Sequence, residues 1–340
     1  VSKAKKLPLL KLGEFQEGQL GDCFAQLAAK GRGSTRDGKP YYSCRFRDPL
    51  REVTVMVWSD SGLFAECQDH WQVGQFFKLR GTFGVHEKYG NQFDTEQIRQ
   101  VEDRDRAEGF RELDFVDRSR FDPEQMFAEL DALVTAEVSD PPLRQLTQAI
   151  LHANAAAIKL LPASTRHAYP FVGGWLEHTL NVVRSCVFLA GQYAKQFPDL
   201  RPPLNRGLIV AAGALHDIGR VKSIEPAAGI LPAQTAPAGE LFGPLYLGYE
   251  LIGTTAKTIP ELSPELLELL LHMVVAHPRP PETGSNRSPR IPEALILHHA
   301  DELDSRFEMY ARCLKNDNAE GPFTERDSIL GVTLLKKRSV

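Results

Sequence analysis

Residues able to bind a divalent cation gather in the second half of this 340-residue chain. His178 stands in "GGWLEHTLNVV", His216 and Asp217 end the apolar run "LIVAAGALHDIG", His272 and His277 fall in "LLHMVVAHP", and His298, His299 and Asp301 fall in "ILHHADELD". Buried ionisable groups are costly unless they are paired or bound to metal. By itself a His-Asp step at a helix end, with Gly219 terminating the helix, reads as an exposed pair. A lone histidine such as His272 reads as a satisfied core residue. The set reads differently, because several independent core histidines ending apolar helical runs explain the pattern less well than one shared ion. Imidazole nitrogens and carboxylate oxygens brought from separated helices can surround a borderline divalent cation and leave positions open for water, which is the catalytic kind of site. His178 shares a helical face with Trp175 and Val182 and so turns toward the packed interior, and His298 and Asp301, three apart, can both face inward.

Helices are needed to carry these residues, and the pattern supplies them from residue 122 onward. "DPEQMFAELDALVTAEV" opens with the cap Asp122 and with Pro123 in the first turn, followed by apolar residues at helical spacing. Later apolar segments repeat the period, and one Gly-, Pro- and Ala-rich stretch, "RVKSIEPAAGILPAQTAPAGELFGPLYLG", reads as a loop beside the site. Residues 14–105 have a different period. In "REVTVMVW" Val53, Val55 and Val57 share one face and Thr54, Met56 and Trp58 the other, and turn residues such as Asp37-Gly38 and Gly90-Asn91 separate the segments. About five strands in such a length suit a small barrel of the OB-fold kind. The expected organisation is an N-terminal extension over 1–13, a barrel over 14–105, a charged linker over 106–121 and a helical domain over 122–340.

Composition limits the alternatives. Hydrophobic content of 42% and charged content of 25% are those of an ordinary globular protein, and a net charge of −4 argues against a generally basic nucleic-acid binder while leaving room for a local positive groove. The 5 cysteines are widely spaced without a CxxC pair, which points to reduced thiols and a cytoplasmic location. No run approaches membrane-spanning length, so no membrane partner is expected.

The order His178, His216-Asp217, Asp301 on successive helices resembles the HD superfamily of metal-dependent phosphohydrolases. "HAYPFVGGWLEHTLNVV", "AGALHDIGRV", "PEALILHHADELDSR" and "GPFTERDSILG" resemble one branch more closely, the YhaM-type 3′-to-5′ exoribonucleases, in which an OB-fold domain precedes an HD domain. The resemblance implies a multidomain α+β fold, a five-stranded OB-fold barrel followed by an all-α HD-type domain. It also implies that His178, His216, Asp217 and Asp301 ligate a divalent metal. Mn2+ is the ion the resemblance favours, and Fe2+, Ni2+, Mg2+ and Zn2+ suit the same ligand types. Two departures stand out, since Pro244 occupies a place where the family has histidine and Pro278 follows His277. Both favour one ion over two.

Such a site suits phosphodiester hydrolysis, because one metal ion can both acidify a water and polarise a phosphoryl oxygen. Asp217 is a candidate proton acceptor, His277 a neighbour of the site, and Arg220 and Arg306 candidate phosphate clamps. His167 resembles a family histidine that touches phosphate or supports a ligand. Strand binding needs aromatic faces with basic contacts. Tyr41, Tyr42, Phe46, Phe83 and Tyr89, interleaved with Arg45, Arg80 and Lys88, are the candidates, against the competing expectation that aromatics of a small barrel form its core. The function expected is 3′-to-5′ hydrolysis of single-stranded RNA, with DNA as a second substrate. A phosphohydrolase of small or cyclic nucleotides, and a catalytically weakened strand-binding protein that keeps its metal, are the competitors. HD domains often associate, so a homo-oligomer stays open.

Overall fold

The computed structural model describes residues 7–35, 37–49, 51–86, 90–225, 233–278, 287–317, 319 and 321–336. The chain divides into two compact units, with the break between Asp117 and Arg118.

The first unit is a closed five-stranded barrel. β1 (Leu20–Ser34) pairs antiparallel with β2 (Pro40–Arg47), β2 with β3 (Glu52–Trp58), and β4 (Phe76–His86) with both β1 and β5 (Gly90–Gln100). A parallel contact between Thr54 and Gln92 closes the ring. A seven-residue helix, α1 (Phe64–His70), lies between β3 and β4 in sequence. It is too short for its period to show, which is why the sequence suggested strands alone. Alternation on β3 works as expected, with Val53, Val55 and Val57 buried beside Cys44 and Phe46 of β2 and Phe77, Leu79 and Phe83 of β4.

Both flanks of this barrel differ from expectation. Leu12, in the stretch expected as an extension, is fully buried in the barrel core together with Phe15. Part of the segment expected as a linker, residues 106–121, also packs. Phe115, at the end of a short 3-10 turn, and Phe110, between that turn and the one before it, form an aromatic cluster with Phe24 and Phe76. Two phenylalanines in a charged stretch create no period, so only their partners on the barrel reveal them. Asp105, with no exposed surface, is held down to about 2 by the hydrogen bonds of Arg99.

The second unit is helical. Its elements are α2 (Pro123–Glu137), α3 (Pro141–Ala153), α4 (Ala155–Ile158), α5 (Gly174–Gln196), α6 (Arg206–Leu215), α7 (Arg220–Ser223), a two-strand ladder of β6 (Ile224–Glu225) and β7 (Gln234–Thr235), α8 (Pro237–Ala256), α9 (Pro264–Ala276) and α10 (Pro292–Asn316). Start signals are local and legible. Asp122, Asp140, Asn205 and Ser263 each accept a backbone N–H from the first turn of their helix, and Pro123, Pro141 and Pro264 occupy positions where a missing N–H costs nothing.

α6 is apolar on every side, and every residue from Gly207 to Leu215 is buried. A helix with no polar face must lie at the centre. α2, α3, α5, α9 and α10 all pack on it, which places its C-terminal His216-Asp217 step inside the unit and not at its surface.

The stretch read as a loop after that step is partly helical, since α8 starts at Pro237. α8 breaks at Gly243 (φ 73°, ψ 160°), just before Pro244. Residues 226–232 of the same stretch lie outside the described residues.

Candidate metal centre

α6 and α9 end in the same way. His216 and His277 are the C-cap residues of their helices, and the Nδ1–H of each donates to the carbonyl three residues back, Gly213 at 2.8 Å and Val274 at 2.7 Å. A carbonyl only accepts, so Nδ1 carries the proton and Nε2 keeps its lone pair. His178, one turn into α5, is oriented by a carboxylate. Its Nδ1–H donates to Asp304 Oδ2 at 2.8 Å. This is the carboxylate-histidine pairing that orients a metal ligand and raises its basicity.

The three Nε2 atoms face a common region with two aspartates. His178 Nε2 lies 3.2 Å from His216 Nε2 and 3.2 Å from Asp301 Oδ1. His216 Nε2 lies 3.9 Å from Asp217 Oδ2 and 4.0 Å from Asp301 Oδ1, and His277 Nε2 lies 3.9 Å from Asp217 Oδ1. A cation held at about 2.1 Å from each ligand separates neighbouring ligand atoms by roughly 3.0–3.4 Å and opposite ones by roughly 4.2 Å. The observed spacings fall within those bounds. His178, His216 and Asp217 each offer an atom within 4.8 Å of the others, and the donor set of imidazole nitrogen and carboxylate oxygen suits a divalent ion.

Electrostatics agree with this arrangement. Burial holds His216 down to about 4, against the pull of Asp217, so its lone pair is available at neutral pH. Burial works against the His178 imidazolium too, but the hydrogen bonds and charges of Asp301 and Asp304 outweigh it and push that group up to about 10. Without a cation, a proton on Nε2 neutralises the carboxylates. Burial disfavours the charged form of Asp217, yet Arg220, His216 and His277 hold its carboxyl below the ordinary value. Burial works against the charged form of Asp301 as well, and its bond to His178 and the nearby imidazoles hold that carboxyl well below the ordinary value.

Gly219 has helical backbone (φ −63°), so it does not end the helix through a left-handed turn. Its need for glycine is contact. A Cβ there would lie 1.9 Å from the Pro244 carbonyl oxygen and 2.5 Å from the Gly248 nitrogen. The break in α8 therefore sets its backbone directly against the step after Asp217, which is the place that Pro244 has in this chain.

A cavity of about 620 Å³ opens over the centre, with His178, Asp217 and Asp301 among its lining residues. His167, Arg220, His277 and Arg306 also face it, as do Pro244 and Pro278. Arg220 Nε donates to Asp217 Oδ2 at 2.7 Å, and Arg306 pairs with Glu302. His298 is not at the centre. Its Nδ1–H donates to the His277 carbonyl at 2.6 Å and so fixes the end of α9. His272 accepts from the Arg290 backbone N–H.

Sequence reasoning missed Asp304 and Tyr169. Asp304 sits three residues after Asp301 on α10, a spacing that could have identified it. Tyr169 has its ring 5.4 Å from that of His178, and its backbone N–H donates to Glu308 Oε2. Burial, reinforced by Asp304, pushes its phenol well above the ordinary value.

The expected strand-binding residues divide. Tyr42, Phe46 and Phe83 are core residues with 6%, 0% and 3% exposure, so they belong to the barrel interior and not to a binding face. Arg80 is committed to a two-pronged pair with Asp22 at 2.6 and 2.8 Å. Tyr41 and Arg45 do point outward, and Arg45 reaches Glu52 at 3.2 Å. Trp58, not among the candidates, is 45% exposed, and its ring lies tilted against that of Tyr41, its partner across the β2–β3 ladder, with centroids 5.4 Å apart. Gly33 lies beneath, where a Cβ would meet the Tyr41 ring at 2.5 Å. Lys88 and Tyr89 lie outside the described residues.

The helices that supply every proposed ligand carry a recognisable family pattern. Residues 175–306 match the HD domain model. An HD domain indicates a metal-dependent phosphohydrolase, in keeping with the cavity and the donor set beneath it. Among solved structures, the chain is similar to a domain of replication protein A from Methanococcus maripaludis, with 12% identity, coverage of 28% of this chain and 97% of that one, and a TM-score of 0.23. It is also similar to a small single-stranded DNA-binding protein from Streptomyces coelicolor, with 15% identity, 25% and 95% coverage and a TM-score of 0.20. A third similarity is to RecG bound to a three-way DNA junction, with 10% identity, 56% of this chain and 26% of that one covered, and a TM-score of 0.25. Among the described residues, no helix is long and apolar enough to cross a membrane.

Proposed function

We propose that the protein is a metal-dependent phosphodiesterase that removes nucleotides from the 3′ end of single-stranded RNA and accepts DNA as a second substrate. The observation that carries this reading is the convergence of His178, His216, Asp217 and Asp301 beneath a cavity of about 620 Å³ bordered by Arg220 and Arg306. When bound by these four residues, a divalent ion, Mn2+ in our proposal, would polarise a phosphoryl oxygen and acidify water.

The chain's own groups do the rest. Asp304 and the Gly213 carbonyl hold His178 and His216 in the tautomers that present Nε2. His277, whose Nε2 faces the cavity with its lone pair, takes the proton released as the diester is attacked, with Asp217 as ligand and neighbouring acceptor. Arg220 and Arg306 hold the phosphate, and His167 supports the sugar-phosphate from the opposite loop. The outward Tyr41–Trp58 pair over Gly33, with Arg45 on the same strand face, holds the single strand by stacking and charge. With all five cysteines as thiols, we place the protein in the cytoplasm.

The test is incubation of the full chain with 5′-labelled single strands and Mn2+. The expected outcome is progressive shortening from the 3′ end, abolished by His216→Ala. Failure of the wild type to cut any strand, or equal cutting by His216→Ala, refutes the proposal. Turnover of a mononucleotide or cyclic nucleotide by that same wild type would favour the small-substrate competitor. Bound metal with no hydrolysis at all would favour a strand-binding protein.

A further inference from the structure

The stretch "GPFTERDSILG" (residues 321–331) has no part in the chemistry above, yet it reaches the metal cavity. It folds into a strap beyond α10. The Thr324 N–H donates to the Leu334 carbonyl and the Leu334 N–H donates to Thr324 Oγ1, both at 2.9 Å, and Thr324 is buried. Asp317, at the end of α10, accepts from the backbone N–H groups of Glu325 and Ala319 and pairs with Lys336. The tip is held by its own bonds. Asp327 accepts from the N–H groups of Ile329 at 2.8 Å and Leu330 at 2.7 Å, and the Gly331 N–H donates to the Asp327 carbonyl at 2.9 Å.

Ile329 and Leu330 both line the 620 Å³ cavity above the metal centre. A second cleft of about 310 Å³ lies between the strap and α10, lined by Arg312, Asn316, Arg326 and Ser328 among others. Met309 and Ile329 border both spaces. Two apolar side chains thus stand where the cavity would otherwise run on into the cleft. A strand held at an internal phosphodiester must continue on both sides of the metal. A strand end needs room on one side only.

We infer, on the basis of the strand hydrolysis proposed above, that the Ile329–Leu330 turn together with Met309 is a partition that makes the metal cavity blind-ended, and that it thereby selects a terminal nucleotide over an internal phosphodiester. None of these residues is among the proposed metal ligands. Their role is to fix which part of a strand can be reached.

The experiment compares a linear and a circular single-stranded RNA of the same sequence with Mn2+, using wild type and an Ile329→Gly/Leu330→Gly variant. Wild type should shorten the linear strand and leave the circle intact. The variant should nick the circle at a rate raised by roughly tenfold or more over wild type and give internal cuts in the linear strand, with metal loading unchanged. Asp327→Ala, which unpins the same turn without touching its side chains, should move the ratio of internal to terminal cuts in the same direction. Wild type that already nicks circles, or a metal-loaded double variant that remains strictly terminal in its cutting, overturns the partition while leaving the proposed hydrolysis in place. Failure of wild type to cut the linear strand overturns both.

Discussion

Loading of the centre should be a competition between a cation and one proton. In the metal-free protein His178 is held up to about 10 by Asp301 and Asp304, acting against burial, whereas burial holds His216 down to about 4. Asp217 and Asp301 are both held below the ordinary carboxylate value. Across pH 6 to 9, therefore, the proton that must leave before the four proposed ligands can bind a cation is the one on His178 Nε2. Loss of one proton makes the apparent affinity for Mn2+ rise about tenfold per pH unit, each unit being worth about 1.4 kcal/mol.

Asp304→Asn removes one of the two charges that hold the proton while leaving an oxygen able to accept from Nδ1. Two effects then oppose each other. The intrinsic affinity falls by roughly 10- to 100-fold because the imidazole is less basic, and the proton competes less well. The variant's affinity should therefore flatten at high pH, where the wild type still climbs, so its deficit is largest near pH 9 and smallest near pH 6. Competition with a fluorescent chelator at half-unit steps measures both curves. A wild-type affinity independent of pH over this range, or a variant curve parallel to the wild type, would refute the reasoning.

The same groups set the stability of the metal-free protein. His178 has a folded pKa above its unfolded value, so its contribution is complete below about 6.5 and is lost as pH rises through about 10. His216 has a folded pKa below its unfolded value, so its contribution is present above about 6.5 and is lost as pH falls through about 4. Thermal melts after chelation should show a stability maximum near pH 6.5, and a monotonic profile across both flanks would contradict the assignment. Gly219→Ala should cost metal affinity or folding, read by metal analysis and melting, because its Cβ would collide with the backbone of Pro244 and Gly248; a variant with normal loading and stability would show that α8 yields. Trp58→Ala should weaken single-strand binding by about 1–3 kcal/mol at unchanged stability, whereas Phe46→Ala should cost about 3–5 kcal/mol of stability; fluorescence anisotropy and denaturant titration separate the two, and the reverse pattern would return the binding face to the expected core aromatics.

Local rules made much of this molecule legible. Asp122 and Pro123 announce the helical half, the valine alternation in β3 announces a strand with one buried face, and a helix apolar on every side has only a central position open to it. The residue types at 178, 216, 217 and 301 were legible because burying nitrogen and oxygen donors at the ends of apolar helices is costly unless they share a cation or a partner. What one sequence does not carry is the identity of neighbours from distant segments. Asp304 supports His178 across 126 positions, and Gly219 meets Pro244 only because α8 breaks at Gly243. Among the barrel's aromatics, residue type alone did not separate core from surface, and the pairing of the strands sent Phe46 and Phe83 inward and left Trp58 against Tyr41 outside. Period and caps are properties of consecutive residues, so the sequence determined the longer elements that show a period or a cap and the chemical types they carry, but not the short α1 or the helix within the stretch read as a loop. Distances between side chains arise from packing, so only the tertiary structure decided which of those types share a site.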